Sequence, residues 1–319
     1  MAVVYGMGKQ AEMRNQYKDL SIVQLSGGLG NQMFQYAFYR QLQEMGRKVK
    51  MDDTTEYQYE GCRKPQLDVF GISYDRCTRE ELVALTDAYM TPVDRMRRKL
   101  FGRRTRLYHE RQFNFDPKIY ERGSTYFEGC WQTEKYFKGI ESLLRESFTF
   151  KGRIPETTKA YLQQIQRDQE KGIVPVSIHI RRGDYLVEST QALYGNICTE
   201  AYYEKAIQMI YNRLGSDVPT NLTKIRFYIF SNDIPWAKEH YRGEQYVVVD
   251  CNDESTGYLD MMLMSTCRHH IIANSSFSWW GAWLNPSPDK IVIAPPKWLN
   301  GRDCEDIYSG SMIPLTEER

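Results

Sequence analysis

Short apolar runs rich in valine and isoleucine alternate with longer amphipathic stretches along most of this chain, and that alternation constrains its fold more than any other feature. Strands buried on both faces read as continuous hydrophobic runs, and joining parallel strands takes a helical crossover. Residues 21 to 53 give a strand from Ser21 to Leu25, a glycine turn, a helix from Asn31 to Met45 and a second strand ending at Met51. The second half repeats the scheme, with strands Val174 to Ile180, Ile225 to Phe230, Tyr246 to Val249, His270 to Ala273 and Lys290 to Ala294. Helices are expected between them: Thr199 to Leu214, one from Pro235, Thr256 to Thr266, and Phe277 to Leu284. The middle is less regular. It offers a helix opened by a capping box of Thr78 and Glu81, a strand from Thr125 to Glu128 and a helix from Thr133 to Ser147. Lys151-Gly-Arg-Ile-Pro155 then breaks the chain before a polar helix ending near Gln169. The fold class is therefore α/β, with two αβα domains across a cleft. A polar lead covers 1–20, the first domain 21–155 and the second 156–319.

Length agrees, since 319 residues at about 150 per domain make roughly two. Lys and Arg total 42 against 41 Asp and Glu, a net charge of +1, which argues against nucleic acid as partner. Seven cysteines, odd in number and never spaced C-x-x-C, suggest neither a disulfide framework nor a zinc ribbon, and fit a reducing compartment. No apolar run reaches signal-peptide or membrane-spanning length, so the sequence predicts a cytoplasmic protein. Between Arg95 and Arg106 seven of twelve residues are basic. That stretch is either a solvated face or a patch that brings the protein to the inner face of an anionic membrane carrying a lipid-linked glycan.

Three segments carry chemistry. Leu25-Ser-Gly-Gly-Leu-Gly-Asn-Gln-Met33 sets Gly28 and Gly30 at a strand-to-helix turn, where missing Cβ atoms let the backbone approach a ligand, with Asn31 and Gln32 in the first helical turn. As a dinucleotide fingerprint it lacks the third small residue, although Asp52 and Asp53 stand where a ribose contact would be; a tight turn without a ligand is the plain alternative. Val176-Ser-Ile-His-Ile-Arg-Arg-Gly-Asp184 delivers His179, Arg181, Arg182 and Asp184 to the carboxyl end of a buried strand. A period of two puts His179 and Arg181 on one face and Arg182 on the other. Guanidinium geometry matches phosphate oxygens, so arginine can neutralise a leaving group; structural salt bridges to Asp184 or a nearby acid are the alternative. Asn274-Ser-Ser-Phe-Ser-Trp-Trp280 opens a helix with the hydroxyls of Ser275, Ser276 and Ser278 and the ring of Phe277, a cradle suited to a diphosphate. Its tryptophans read as packing. Asp-x-Asp and His-Glu-x-x-His are both missing from the sequence, so no metal is expected, and Cys267-Arg-His269-His270 lacks ligand spacing. Asp233 and Asp250, at strand ends, could accept the N–H groups of guanine or cap the helices that follow.

Together these segments resemble the metal-independent α-1,2-fucosyltransferases of the bacterial type, through Gly27-Gly-Leu-Gly-Asn-Gln-Met-Phe-Gln-Tyr-Ala37, His179-Ile-Arg-Arg-Gly-Asp184, Phe230-Ser-Asn-Asp233 with Trp236, and Asn274 to Trp280. The resemblance implies a GT-B arrangement of two Rossmann-like domains. It also implies inverting transfer of L-fucose from GDP-β-L-fucose to the 2-hydroxyl of a terminal β-galactoside, on an oligosaccharide or a lipid-linked glycan. On that likeness Arg181 holds the departing β-phosphate with Arg182 in support, and Asn31 lies at the reacting centre. Ser275, Ser276, Phe277 and Ser278 surround the diphosphate, Asp233 sits by the guanosine, and His179, Gly28, Gly30 and Gln32 line the substrate sites. Asp184 is a candidate base. The alternatives are a fucosyltransferase of another linkage or nucleotide sugar, a nicotinamide-dependent oxidoreductase resting on Gly28, Gly30 and Asp52, and a sugar-binding protein resting on the tryptophans.

Overall fold

The computed structural model describes residues 17, 19–58, 64–86, 92–101, 106–215 and 224–316. The chain divides into two compact units between Ser147 and Phe148.

In chain order the first unit runs β1 (Leu20–Gln24), α1 (Leu29–Glu44), β2 (Lys48–Asp52), α2 (Arg79–Leu85), α3 (Pro92–Phe101), β3 (Leu107–His109), β4 (Tyr126–Glu128) and α4 (Glu141–Ser147). Its sheet has the order β2-β1-β4-β3, and every pairing is parallel. Alternation along the strands feeds both faces. Leu20, Ile22 and Tyr126 pack with Leu82 and Leu85 of α2 on one side. On the other, Phe127 meets Phe38 of α1 edge to face at 5.3 Å, inside an aromatic cluster that includes Trp131 and Tyr136. The Thr78 and Glu81 capping box is present, with each side chain bonded to the other's backbone N–H. The expected single helix from Thr133 to Ser147 is instead a 3₁₀ turn over Glu134–Phe137 followed by α4. Gly139 between them takes a φ of +97°, which no continuing helix accommodates.

The second unit runs α5 (Glu156–Glu170), β5 (Ile173–Ile180), α6 (Glu188–Tyr194), α7 (Glu200–Arg213), β6 (Lys224–Ser231), α8 (Ile234–His240), β7 (Tyr246–Val248), α9 (Gly257–Thr266), β8 (His269–Ile271), α10 (Ser276–Leu284), β9 (Val292–Ala294) and β10 (Met312–Pro314). These strands form an all-parallel sheet of order β10-β9-β8-β5-β6-β7. Phe227 and Ile229 of β6 pack with Tyr202, Tyr203 and Ala206 of α7 on one face. Tyr228 and Phe230 of the same strand pack with Ile165 of α5 and Leu259 and Leu263 of α9 on the other. Residues 148–155 join this unit rather than the first because Phe148 sits edge to face on Trp280 at 5.1 Å, while Phe150 and Ile154 pack under α9.

Trp279, Trp280 and Trp283 are buried against one another, and Trp279 Nε1 donates to the Ile307 carbonyl at 2.7 Å. They are core. His270 is buried between the Ser177 hydroxyl at 2.8 Å and the Asn285 amide at 2.9 Å, and His269 Nδ1 accepts the Ile291 N–H at 3.0 Å. Burial first and the Arg268 charge second push His269 down to about 4, so it packs as a neutral ring. Among the described residues no helix is long and apolar enough to cross a membrane.

Candidate active site

In open parallel sheets ligands bind at the carboxyl ends of the strands, where the chain reverses its direction of growth across the sheet. Each unit has one such point. From β1 the chain builds β2 on one side and later places β4 on the other; from β5 it builds β6 and β7 outward, then returns to place β8 on the opposite side.

In the first unit the glycine turn leaves β1 beside the segment that leaves β4. Gly27 carries the left-handed φ of +70°, and a Cβ there would lie 2.8 Å from Asn31 Nδ2. Gly28 is the N-cap of α1; its carbonyl accepts the Asn31 and Gln32 N–H groups at 3.0 and 3.1 Å. Gly30 is buried in the first turn. Asn31 is half-buried, with Oδ1 accepting from Gln132 Nε2 at 2.9 Å, so the turn after β1 is joined to the turn after β4. Gln35 adds a second tie, donating to Ser26 Oγ at 2.8 Å and the Gly129 carbonyl at 2.9 Å. Gln32 departs from its expected place in a substrate site. It is 0% exposed; its amide donates to the carbonyls of Gly27 and Lys64 at 2.9 and 3.0 Å and accepts from the Gln66 N–H at 2.7 Å. It clamps the loop from beneath.

The two aspartates that a dinucleotide would need are committed elsewhere. Asp52 accepts from Thr54, Thr55 and Tyr126. Burial opposes its charge, but the hydroxyls of Thr55, Thr54 and Tyr126 outweigh it and hold the carboxyl below its usual range. Asp53 is paired with Arg76 at 2.7 Å and accepts the Tyr74 hydroxyl at 2.9 Å. Neither faces outward for a ribose.

In the second unit β5 ends at Ile180, so the period of two does not carry on to the arginines; Arg181 and Arg182 lie in the turn that follows. His179, next to the end of the strand, is 4% exposed with its ring 5.5 Å from that of Phe277, so it packs under the front of α10. Arg181 lies half-buried with its guanidinium 5.8 Å from the centre of the Tyr185 ring. The Tyr185 hydroxyl in turn donates to the Asn274 carbonyl at 2.9 Å, so one side chain links the turn after β5 to the segment after β8. Sequence reasoning missed Tyr185, because a tyrosine in a short loop carries no pattern of its own. Arg182 turns the other way: its Nε donates to Asp233 Oδ2 at 3.2 Å and its guanidinium stacks 4.1 Å over the Trp236 ring.

Asp233 takes the capping alternative, its Oδ1 accepting the Trp236 N–H at 3.2 Å at the start of α8. Asn232 braces the arginine turn by accepting the Arg182 N–H at 2.9 Å, and a Cβ on Gly183 would come within 2.3 Å of its amide. The side chain of Asp184 lies outside the described residues. Asp250 is held by Tyr161 at 2.8 Å and Lys238 at 2.5 Å.

Across the switch point from Arg181, Ser275 is the N-cap of α10 and makes no side-chain capping bond; Ser276 and Phe277 are half-buried in the first turn. Ser278 leaves the expected cradle. It is 0% exposed and its hydroxyl donates to the carbonyls of Ala273 and Ser275 at 3.3 and 3.2 Å. Asn274, beneath, donates to the carbonyls of Tyr194 and Trp298, both at 3.1 Å, fixing where α10 begins. The turn after β5 thus carries a permanent cation and the segment after the adjacent β8 opens into the positive end of a nine-residue helix, an arrangement suited to a diphosphate.

Comparison with known proteins finds a family and relatives that cover most of the chain. The pattern of glycosyl transferase family 11 matches residues 20–309. An α-1,2-colitosyltransferase of Escherichia coli is 33% identical over 286 residues, covering 87% of this chain and 92% of that protein. The O-antigen biosynthesis glycosyltransferase WbnK of the same species is 30% identical over 91% of this chain and 99% of its own. Human galactoside α-(1,2)-fucosyltransferase 1 is 29% identical over 153 residues, 47% of this chain and 40% of that one.

Proposed function

Since this chain belongs to glycosyl transferase family 11, we propose that it moves L-fucose from GDP-β-L-fucose to the 2-hydroxyl of a terminal β-galactoside, with inversion and without a metal. The observation that carries the proposal is the pairing of Arg181 and the α10 N-terminus across the switch between β5 and β8.

As the bond from fucose to the β-phosphate lengthens, negative charge grows on the departing GDP. Arg181 meets it with two parallel N–H donors, and the first-turn N–H groups of α10, at Ser276 and Phe277, meet the rest. Groups held by the fold before reaction need no reorganisation, which is where fixed dipoles gain over water. Tyr185 keeps the guanidinium oriented toward that edge. Arg182, shared with Asp233 and Trp236, supports the turn. Bond breaking runs ahead of attack, the fucosyl centre takes on oxocarbenium character, and the galactose hydroxyl oxygen adds from the opposite face, giving up its proton to solvent as GDP departs. Asn31, at the reversal point of the first sheet, offers an uncharged amide suited to a sugar hydroxyl.

The test is to incubate the protein with GDP-L-fucose, excess EDTA and a panel of terminal β-galactosides, reading GDP release and product mass. Gain of one deoxyhexose on the 2-hydroxyl supports donor, linkage and metal independence together. EDTA-sensitive release removes the metal-free mechanism. The 33% identity to an α-1,2-colitosyltransferase favours one second reading, in which the donor sugar is colitose. GDP-colitose run in parallel, with gain of a dideoxyhexose, separates the two.

A further inference from the structure

Helix α3 (Pro92–Phe101) takes no part in either switch point, and four of its described side chains, all exposed, fall on two adjoining lines. Met96 and Leu100 stand one turn apart on one line of the helix and are 63% and 70% exposed, more than Val187, Met45 and Leu107, the other large apolar side chains exposed among the described residues. Arg95 and Lys99, also one turn apart and exposed, form the adjoining line. From Arg95 to Lys99 four of five residues are cations. A solvated basic face explains the arginines and lysine but gives Met96 and Leu100 nothing to do. A polyanion such as nucleic acid has the same defect, because phosphates match the cationic line and leave the apolar one in water. A membrane surface uses both lines. Anionic headgroups pair with the cations while the two apolar side chains enter the acyl boundary, and the helix lies in the plane of the interface.

We propose that α3 is a docking surface for an anionic phospholipid membrane, with Met96 and Leu100 inserting and Arg95 and Lys99 engaging the headgroups. The surface would hold the first unit at a bilayer, and the proposal stands whether or not fucose is the sugar transferred. Binding by few cations and two short apolar side chains is weak, reversible and sensitive to salt.

The experiment is co-sedimentation of the full chain with phosphatidylcholine vesicles, with and without phosphatidylglycerol, at low and high salt. Retention is expected only on the phosphatidylglycerol vesicles and should fall as salt rises. At about 1 kcal/mol per cation near the surface, Arg95→Glu with Lys99→Glu should lower partitioning more than about tenfold. Met96→Ser with Leu100→Ser should lower it by about tenfold while keeping the salt dependence. GDP release with a soluble acceptor should stay unchanged in both variants, which shows that they fold. No retention at low salt overturns the proposal. So does retention that the Met96 and Leu100 changes leave intact, since that describes a charged face alone, and so does equal binding to a DNA duplex.

Discussion

The two units reverse their sheets in the same way and then use the reversal differently. After β1 the polar side chains are amides, and most of their hydrogen bonds return to the protein: Gln32 to three backbone groups, Gln35 to Ser26 and Gly129, Asn31 to Gln132. After β5 and β8 the groups are a guanidinium and the positive end of a helix, with the neighbouring hydrogen bonds from Asn232, Tyr185 and Asn274 bracing the backbone around them. One topology thus yields a neutral, shape-bearing edge and a cationic edge. A neutral sugar needs the first and a diphosphate leaving group the second.

The largest expected effect comes from putting a point charge where a fork should be. Arg181→Lys keeps the cation and loses the two parallel donors, so kcat should fall by about 10² to 10³ with the melting temperature little changed. Steady-state GDP release checks it, and near-normal turnover would remove the leaving-group role and with it the contrast between the edges. The first unit gives the converse. Gln32→Ala removes the hydrogen bonds that it makes to the Lys64 carbonyl and the Gln66 N–H and leaves the Gly27 carbonyl with the Tyr57 hydroxyl at 3.2 Å, costing about 3 kcal/mol of stability in urea titration. GDP release from the donor, measured on the folded variant, should stay close to normal. Unchanged stability with lost acceptor turnover would show instead that Gln32 touches substrate.

Much of this architecture was legible because parallel strands buried on both faces must be continuous apolar runs, and β5, β6 and their crossover helices are. The short edge strand β3 was not, since Leu107 and His109 are exposed and the segment lacks a hydrophobic pattern. Strand β10 was hidden by length and by Pro314 at its end. At the site, the sequence ranked residues by chemistry and could not rank them by direction. Gln32 and Ser278 have the right chemistry for ligand contact but point into the protein. Arg182 and Asp233 were both named for the donor site, yet the structure pairs them with each other, because β5 stops one residue before the arginines and the turn swings Arg182 toward β6.

Buried carboxyls sharpen the comparison by pH. Asp52 in the first unit has hydroxyl donors enough to stay ionised, whereas Asp260 of α9 is met by the Asn252 amide at 2.6 Å and burial raises it from 3.8 to about 6. Between those values the folded chain keeps a proton that the unfolded chain has released, so stability falls as pH rises through the window and remains lower above it. Asp260→Asn removes that penalty. The variant should be more stable than the parent above pH 6, by at most about 3 kcal/mol, and close to it below pH 4. Thermal melts at both ends of the range check the sign; a variant destabilised at high pH would mean that the carboxylate form is needed by a partner.

The smallest effect is the one that best divides the cationic edge itself. Arg182 and Arg181 are adjacent, both half-buried and both permanently charged, and differ only in what they face. The pair of Arg182 with Asp233 is partly exposed, 29% and 35% at the side chains, so its Coulombic part is well screened and contributes below about 1 kcal/mol. Stacking on Trp236 adds a contribution of similar size. Arg182→Lys retains charge and much of the pairing while losing the flat stack, and kcat should fall by no more than about threefold, equivalent to about 0.7 kcal/mol. Measured beside Arg181→Lys under the same donor saturation, the two substitutions differ by a factor near 10² if only one guanidinium meets the phosphate. If Arg182→Lys is as damaging as Arg181→Lys, the Asp233 pairing is a resting arrangement that donor binding breaks, and both arginines belong to the leaving-group side.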